Sequence, residues 1–181
     1  MQNETLITLA DKLHAADPTK VKAIVGFDGF VDQVTHVVDR RTGPDTYERV
    51  KTLTDYGQKF IDAAGLSMNI EMVPVNRKVG GVATIFANSL SKMGFDLTYI
   101  GALGKDGVNP VFSEFARRAT VISISDPGES DAIEFMDGKV ISSKLEPLKG
   151  VNWENLLAKY SAHDLTLMFD EADFVGFADW T

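Results

Sequence analysis

Two carboxylates stand four residues apart, Asp28 and Asp32, in the run GFDGFVD that begins at Gly26. The run follows residues 21–25, a short apolar segment of strand length. Ligands of an open α/β sheet bind beyond the carboxyl ends of its strands, and an ionised carboxylate can accept hydrogen bonds from two hydroxyl groups at once. The spacing fits a site for a polyhydroxylated ligand such as a sugar. It equally fits one aspartate that caps a turn and another that lies in solvent.

A second candidate site begins at Gly80 and Gly81, directly before the helical pattern of residues 82–93. Two glycines allow a ligand to approach the backbone closely. The amide groups at the start of a helix can then donate hydrogen bonds to ligand oxygens. A tight turn between a strand and a helix would also use two glycines, so this pattern leaves both interpretations open.

Other familiar chemistries lack their residues. The chain has three histidines, His14, His36 and His163. They form no spaced metal-binding motif, and the absence of cysteine excludes a thiol nucleophile or a thiolate metal site. Gly104-Lys105 and Gly138-Lys139 lack the other residues of a phosphate-binding P-loop. The sequence also lacks a serine-hydrolase elbow and the glycine spacing of a dinucleotide-binding turn. It therefore predicts no metal site and no catalytic residue of these types.

The composition favours one globular domain: 181 residues, of which 44% are hydrophobic and 24% charged. The net charge of −8 and the pI near 4.8 argue against binding to nucleic acid or to an anionic membrane surface. No apolar run approaches the length of a membrane span, and the first residues do not fit a signal peptide. With no cysteine, these features predict a cytoplasmic protein.

Alternating helices and strands must position the candidate residues. Helical spacing is predicted for residues 6–13, 45–62, 82–93 and 152–160. Strands are predicted at residues 21–25, 70–79, 97–100, 121–125 and 165–169. Pro74 indicates an edge or lid strand, and Asp137-Gly138 predicts a hairpin. The alternation predicts an α/β sheet with helices on both faces and an antiparallel part.

Two consecutive segments carry a resemblance to a known family. The run GGVATIFANSLSKMG, residues 80–94, precedes LTYIGALGKD, residues 97–106. Together they resemble the first signature of the ribokinase-like (PfkB-type) carbohydrate kinases, a double glycine, a helix, a strand and then Gly-x-hydrophobic-Gly-x-Asp. Asp32 stands where that family keeps its sugar-binding aspartate, and the hairpin at 131–145 lies where it has strands outside the central sheet.

The resemblance implies a fold and an activity. The fold would be a three-layer α/β/α, Rossmann-like sheet with a small β-sheet lid, whose strands would include residues 34–42 and 70–79. The activity would be the ATP-dependent phosphorylation of a sugar or sugar-like hydroxyl, with Mg as the metal cofactor. The partner would be a small-molecule sugar, and the resemblance also allows a homodimer formed through the lid.

The family's site residues carry over by position. Asp32 would hold sugar hydroxyls, with Asp28 as its neighbour or substitute. Gly80 and Gly81 would let the sugar rest against the start of the helix. Asp106 belongs to the signature and is assigned a loop-shaping role.

This sequence departs from the family pattern at two positions near the site. The family often has an asparagine four residues after the second glycine, where this chain has Ile85, with Asn88 a turn later. It usually has a glycine three residues after the signature aspartate, where this chain has Asn109. Both departures bear on the contacts to the substrate.

The family's second signature, Asp-Thr-x-Gly-Ala-Gly-Asp, does not occur in the sequence. Residues 165–170 resemble the family's mid-sheet strand, and the apolar ending at 177–181 has no closing helix. Residues 1–181 are therefore interpreted as the N-terminal part of a single kinase domain without its nucleotide-binding half, and inactive alone. The alternative is a non-catalytic sugar-binding or assembly module of the same fold.

Overall fold

The computed structural model describes the backbone of residues 2–178 and the side chains of residues 5–178. The helices are α1 (Gln2–Ala15), α2 (Leu53–Asp62), α3 (Val82–Met93), α4 (Ser113–Ala116), α5 (Trp153–Leu157) and α6 (Ala162–Asp170). The strands are β1 (Lys22–Phe27), β2 (Phe30–Arg41), β3 (Tyr47–Arg49), β4 (Met72–Gly80), β5 (Asp96–Gly101), β6 (Thr120–Ser123), β7 (Gly128–Glu134), β8 (Lys139–Lys144) and β9 (Phe174–Ala178).

The central sheet is parallel, with the strand order β6-β5-β1-β9. Side chains alternate between its faces because a strand repeats every two residues. Ala23 and Val25 of β1 pack in the cluster that includes α3, whereas Ile24 packs in the opposite cluster with Leu156 of α5 and Leu165 of α6. Helices thus cover both faces, and the predicted three-layer arrangement is confirmed.

The second sheet has β2 as its central strand. β4 pairs with β2 antiparallel on one side and β7 pairs with β2 parallel on the other, while β3 pairs with the far end of β2 and β8 with β7. β4 is an edge strand, and its register shifts opposite Val34 and Thr35, next to Pro74. The predicted hairpin joins β7 to β8, closed by the amide of Phe135 donating to the carbonyl of Gly138 at 2.8 Å. This sheet projects from the carboxyl end of β1 and is called the lid sheet below.

The prediction that residues 45–62 form one helix is wrong in its first half. This half contains the strand β3, and α2 begins only after Thr52, whose side chain accepts a hydrogen bond from the amide of Asp55 at 3.0 Å. Val50 is buried with Val37 of β2 in the core cluster of the lid sheet. It therefore belongs to the core of this sheet and not to a helix face. The cap at Thr52 fixes the start of the helix because it satisfies an amide that the first turn leaves unpaired.

The prediction of a strand at residues 165–169 is also wrong. These residues belong to α6, which Ser161 caps by accepting from the amide of Asp164 at 3.1 Å. Leu165, Met168 and Phe169 pack in one core cluster, and their spacing of three and four residues is that of a helix face. The strand that pairs with β1 is instead β9. Of the apolar ending, residues 179–181 lie outside the described residues.

The apolar stripe of α3 faces outward. Val82, Ile85 and Met93, which fall at helical spacing, are each more than half exposed. The buried face consists of small residues, Ala83, Thr84, Ala87 and Ser91. Small side chains let the helix approach the sheet closely, and the large apolar residues are left on the surface. Among the described strands β9 pairs only with β1, and its Val175 and Phe177 are also exposed.

One polar cluster fastens the outer part of the lid sheet. The guanidinium of Arg49 lies 3.0 Å from Nε2 of His36, and Nδ1 of His36 lies 3.1 Å from the hydroxyl of Tyr47. A guanidinium can only donate, so Nε2 accepts and Nδ1 carries the proton of a neutral ring. Burial lowers the pKa of His36 below 6.5, the neighbouring Arg49 cation lowers it further, and Glu134 opposes the shift.

Among the described residues, none of the helices combines the length and the apolar character needed to cross a bilayer.

We expect the chain on its own to self-associate through the outward stripe of α3 and the open edge at β9, because exposed apolar surface and unpaired strand edges favour association. Ile85→Lys should reduce association, measured by light scattering against protein concentration. Ser67→Lys, in the exposed loop after α2, is the control for added charge. A strict monomer at high concentration for the unmodified chain would contradict this expectation.

We also expect the stability of the chain to fall as the pH is lowered from about 7 to about 5. In that range the unfolded His36 binds a proton before the folded His36, whose pKa is lowered, so protons favour the unfolded state. The free energy of unfolding, measured with urea at several pH values in this range, should depend less steeply on pH in His36→Gln than in the parent. An equal pH dependence in the His36 variant and the parent would refute the assignment.

Candidate functional site

The carboxylate of Asp28 caps the first turn of α3. It is 5% exposed, and its Oδ1 and Oδ2 accept hydrogen bonds from the amides of Ala83 at 2.7 Å and Val82 at 2.9 Å. Gly81 occupies the cap position and has no side chain that could do this. The positive end of the helix also favours a carboxylate here. These amides, which the sequence left open either to ligand oxygens or to a tight turn, are therefore engaged by Asp28.

Two further hydroxyls hold the backbone at Asp28. Thr84 Oγ1 donates to the carbonyls of Gly80 at 2.6 Å and Asp28 at 3.2 Å. The Tyr99 hydroxyl donates to the same Asp28 carbonyl. Burial raises the pKa of Tyr99 well above its ordinary value, and the charge of Asp28 adds to the rise, so this hydroxyl stays protonated as a donor. The Asp28 turn is thus fixed from both its side chain and its backbone.

Asp32 lies on the lid sheet, two residues into β2, and is half-buried. The hydroxyl of Ser130, its in-register partner on β7, donates to Asp32 Oδ1. On the other side a methyl group at Gly80 would overlap the carboxylate, so the carboxylate rests against a bare Cα. Glycine is required here for close approach rather than for an unusual backbone angle.

All four predicted residues meet where the lid sheet joins the central sheet. Asp32 lies against Gly80, and a Cβ on Gly81 would stand 2.9 Å from Asp28 Oδ2. The two carboxylates differ in their exposure and in their capacity to accept further hydrogen bonds. Asp28 is buried and accepts hydrogen bonds from two backbone amides, whereas Asp32 remains partly exposed beside the start of α3. Chemically, the junction holds a positioned, partly exposed hydrogen-bond acceptor at Asp32.

The side chains of the remaining signature positions make other contacts or are exposed. Ile85 is 53% exposed on the outer face of α3, and Asn88 Oδ1 accepts from Arg118 at 2.7 Å. Asn109 caps a short 3-10 turn by accepting from the amide of Val111 at 3.1 Å. Asp106 is exposed and lines an open groove of about 550 Å³ beyond β5 and β6, so its loop-shaping role stays a prediction.

Sequence reasoning missed Thr84, Tyr99 and Ser130. Each is a buried polar residue within an otherwise apolar or small-residue pattern of a helix or strand. Since a buried hydroxyl needs a partner, such positions are a usable signal, but the sequence does not say which carboxylate or carbonyl they face. Among the residues the structure describes, no cluster of three or more acidic residues or histidines could hold a metal ion.

Comparison with known proteins gives a consistent picture. The family model of prokaryotic ketohexokinase matches residues 7–181. A ketohexokinase from Haloferax volcanii is 30% identical over 184 residues, which cover 99% of this chain and 49% of the relative. The chain thus spans about half the length of the curated relative it matches.

Two solved structures with the same fold are, by name, a carbohydrate kinase and an adenosine kinase. A carbohydrate kinase from Agrobacterium tumefaciens matches with a TM-score of 0.53 and 16% identity, over 87% of this chain and 45% of that one. The apo adenosine kinase of Trypanosoma brucei brucei matches with a TM-score of 0.54 and 17% identity, over 90% of this chain and 50% of that one. At these identities the match concerns the fold.

The two glycines should respond differently to alanine. Gly81 has a φ of +93°, and a Cβ there would lie 2.6 Å from Thr84 Oγ1, so Gly81→Ala should cost about 1–3 kcal/mol of stability. Gly80→Ala should instead push the Asp32 carboxylate from its place. Gly57→Ala is the control, since nothing lies within 4 Å of its Cβ, and it should stabilise α2 by about 0.5–1 kcal/mol. Urea unfolding measures all three, and a Gly81→Ala protein as stable as the Gly57 variant would refute the geometry.

Proposed function

Because the chain belongs to the prokaryotic ketohexokinase family, we propose that it forms the sugar-binding half of an ATP-dependent carbohydrate kinase, with a ketohexose as its substrate. The observation that carries this proposal is the Asp32 carboxylate, held by Ser130 and Gly80 and left partly exposed at the junction of the two sheets. A sugar presents several hydroxyl donors to such an acceptor, and a carboxylate can take two of them.

The two aspartates have separate tasks in this proposal. Asp32 binds sugar hydroxyls through charge-assisted hydrogen bonds. Asp28 positions the start of α3 and, through Gly80 and Gly81, the surface on which the sugar would lie. The contact of Asp28 with the amides of Val82 and Ala83 supports this division, because those donors are committed within the protein and do not bind a ligand oxygen.

The described residues do not fit the binding of ATP or Mg²⁺. Phosphoryl transfer requires groups that cradle the phosphates and neutralise their charge. The start of α3 is occupied by Asp28, and the part of the chain described here has no carboxylate or histidine cluster of metal-binding size. We therefore assign nucleotide and metal binding to the half of the family's length that this chain does not span.

Asp32→Ala tests the proposal in the kinase that carries this chain together with that second half. Loss of a hydrogen bond to a charged group costs about 1.5–3 kcal/mol, so kcat/KM for the sugar should fall about 10- to 150-fold. The KM for ATP should change little. Steady-state kinetics with ketohexoses, aldohexoses and nucleosides measure the loss and identify the substrate class.

Two other aspartates are the controls for this experiment. Asp45→Ala removes an exposed carboxylate from the turn between β2 and β3 and should leave both KM values unchanged. Asp28→Ala removes the cap and should lower the melting temperature, as expected for about 0.5–2 kcal/mol. Unchanged sugar kinetics in Asp32→Ala would refute the site, and sugar binding without any phosphorylation by the longer protein would favour a non-catalytic module.

A further inference from the structure

Ser130 occupies an unusual position for a hydroxyl. It lies on β7 with 3% of its surface exposed, and it is paired in parallel register with Asp32 of β2. The neighbouring residue on the same face of β7 is Ala132, which is also buried. A small apolar residue would pack equally well at this position, and a buried hydroxyl is costly unless it is hydrogen-bonded. The partner that satisfies it is Asp32 Oδ1.

The contact leaves the two oxygens of Asp32 unequal. Ser130 takes Oδ1, while Oδ2 has no hydrogen-bond partner within the part of the chain that the structure describes. Every fully buried polar side-chain atom in that part has a partner, so Oδ2, which has none, keeps some exposure to solvent. Gly80 closes the opposite side, because any side chain there would overlap the carboxylate.

We propose that Ser130 is a positioning residue for the sugar: its hydroxyl anchors Oδ1 of Asp32, and the carboxylate then presents Oδ2 to the substrate hydroxyls. A carboxylate with one oxygen anchored loses less rotational freedom when the sugar binds, so more of the contact energy contributes to affinity. This inference rests on the proposed function, since it assigns Ser130 to the same sugar site. It adds a residue that acts through Asp32 and does not itself contact the substrate.

A double-mutant cycle tests the proposal in the kinase that carries this chain with its second half. Ser130→Ala should raise the KM for the sugar about tenfold, which corresponds to about 1.4 kcal/mol. The kcat and the KM for ATP should stay within about twofold, because neither depends on the orientation of Asp32. Ser143→Ala is the matched control, since Ser143 is the in-register partner of Ser130 on β8 and is exposed.

The double variant separates positioning from direct contact. If Ser130 acts only through Asp32, Ser130→Ala should change the sugar KM no further in the Asp32→Ala background, a strong departure from additivity. Additive losses would overturn the proposal because Ser130 would then act independently of Asp32. A Ser130→Ala protein with the sugar KM of the parent, or one whose loss follows only from a lowered melting temperature, would also overturn it.

The proposed function fails in a distinguishable way. If Asp32→Ala alone leaves the sugar KM unchanged, the sugar does not bind at Asp32, and both the proposed site and the positioning role of Ser130 are refuted. If Asp32→Ala raises the sugar KM and Ser130→Ala does not, the sugar site holds and only the role of Ser130 is overturned. Calorimetric titration of the sugar into each variant gives the same comparison without turnover.

Discussion

The contact between the Asp28 carboxylate and the first turn of α3 is the interaction on which the junction of the two sheets depends. A carboxylate at 5% exposure must be matched by donors, and the amides of Val82 and Ala83 supply them. This contact joins the turn after β1 to the connection between β4 and α3, 54 residues away in sequence. Gly80 lies just before this turn, and the antiparallel pairing of β4 with β2 places it against the Asp32 carboxylate. The Asp28 cap and the strand pairing together hold the start of α3 beside Asp32.

The contact of Asp28 also explains why the start of α3 has no free first-turn amides at Val82 and Ala83 for a phosphate. A helix start beside a double glycine offers amides to an anion, and in this chain an internal anion takes them. The lid sheet contributes the remaining acceptor, Asp32, and its neighbour Ser130. In the proposed function, this junction would recognise hydroxyl donors, which are the groups that a sugar presents.

Local sequence signals predicted those parts of the fold that local forces determine. The helix at 82–93, its end at Gly94 and the Asp-Gly hairpin were predicted because caps and turns act over a few residues. The buried face of α3 consists of small residues, which hydrophobic spacing does not select because it finds only the stripe of large apolar residues. Residues 165–169 were misassigned because a short apolar run has no clear period.

The candidate site was predictable in its members but less so in their roles. The positions of Asp28, Asp32, Gly80 and Gly81 follow from strand ends and from the family signature. Which aspartate is buried depends on how the turn after β1 packs against α3, and that packing is a tertiary property. Ser130 stands 98 residues from Asp32, and only the register of β2 with β7 brings them together.

The turn at Asp28 and Gly29 also determines how the lid sheet can move. β1 passes into β2 through these two residues, and a side chain at Gly29 would overlap the carbonyl of Ala102. The lid sheet is therefore held firmly at the end where β2 leaves the central sheet. Its compliance should increase with distance, beyond the register shift at Val34 and Thr35. Asp32, near the fixed end, would keep its position, while the distal part of the lid sheet, with β3, would undergo the larger displacements.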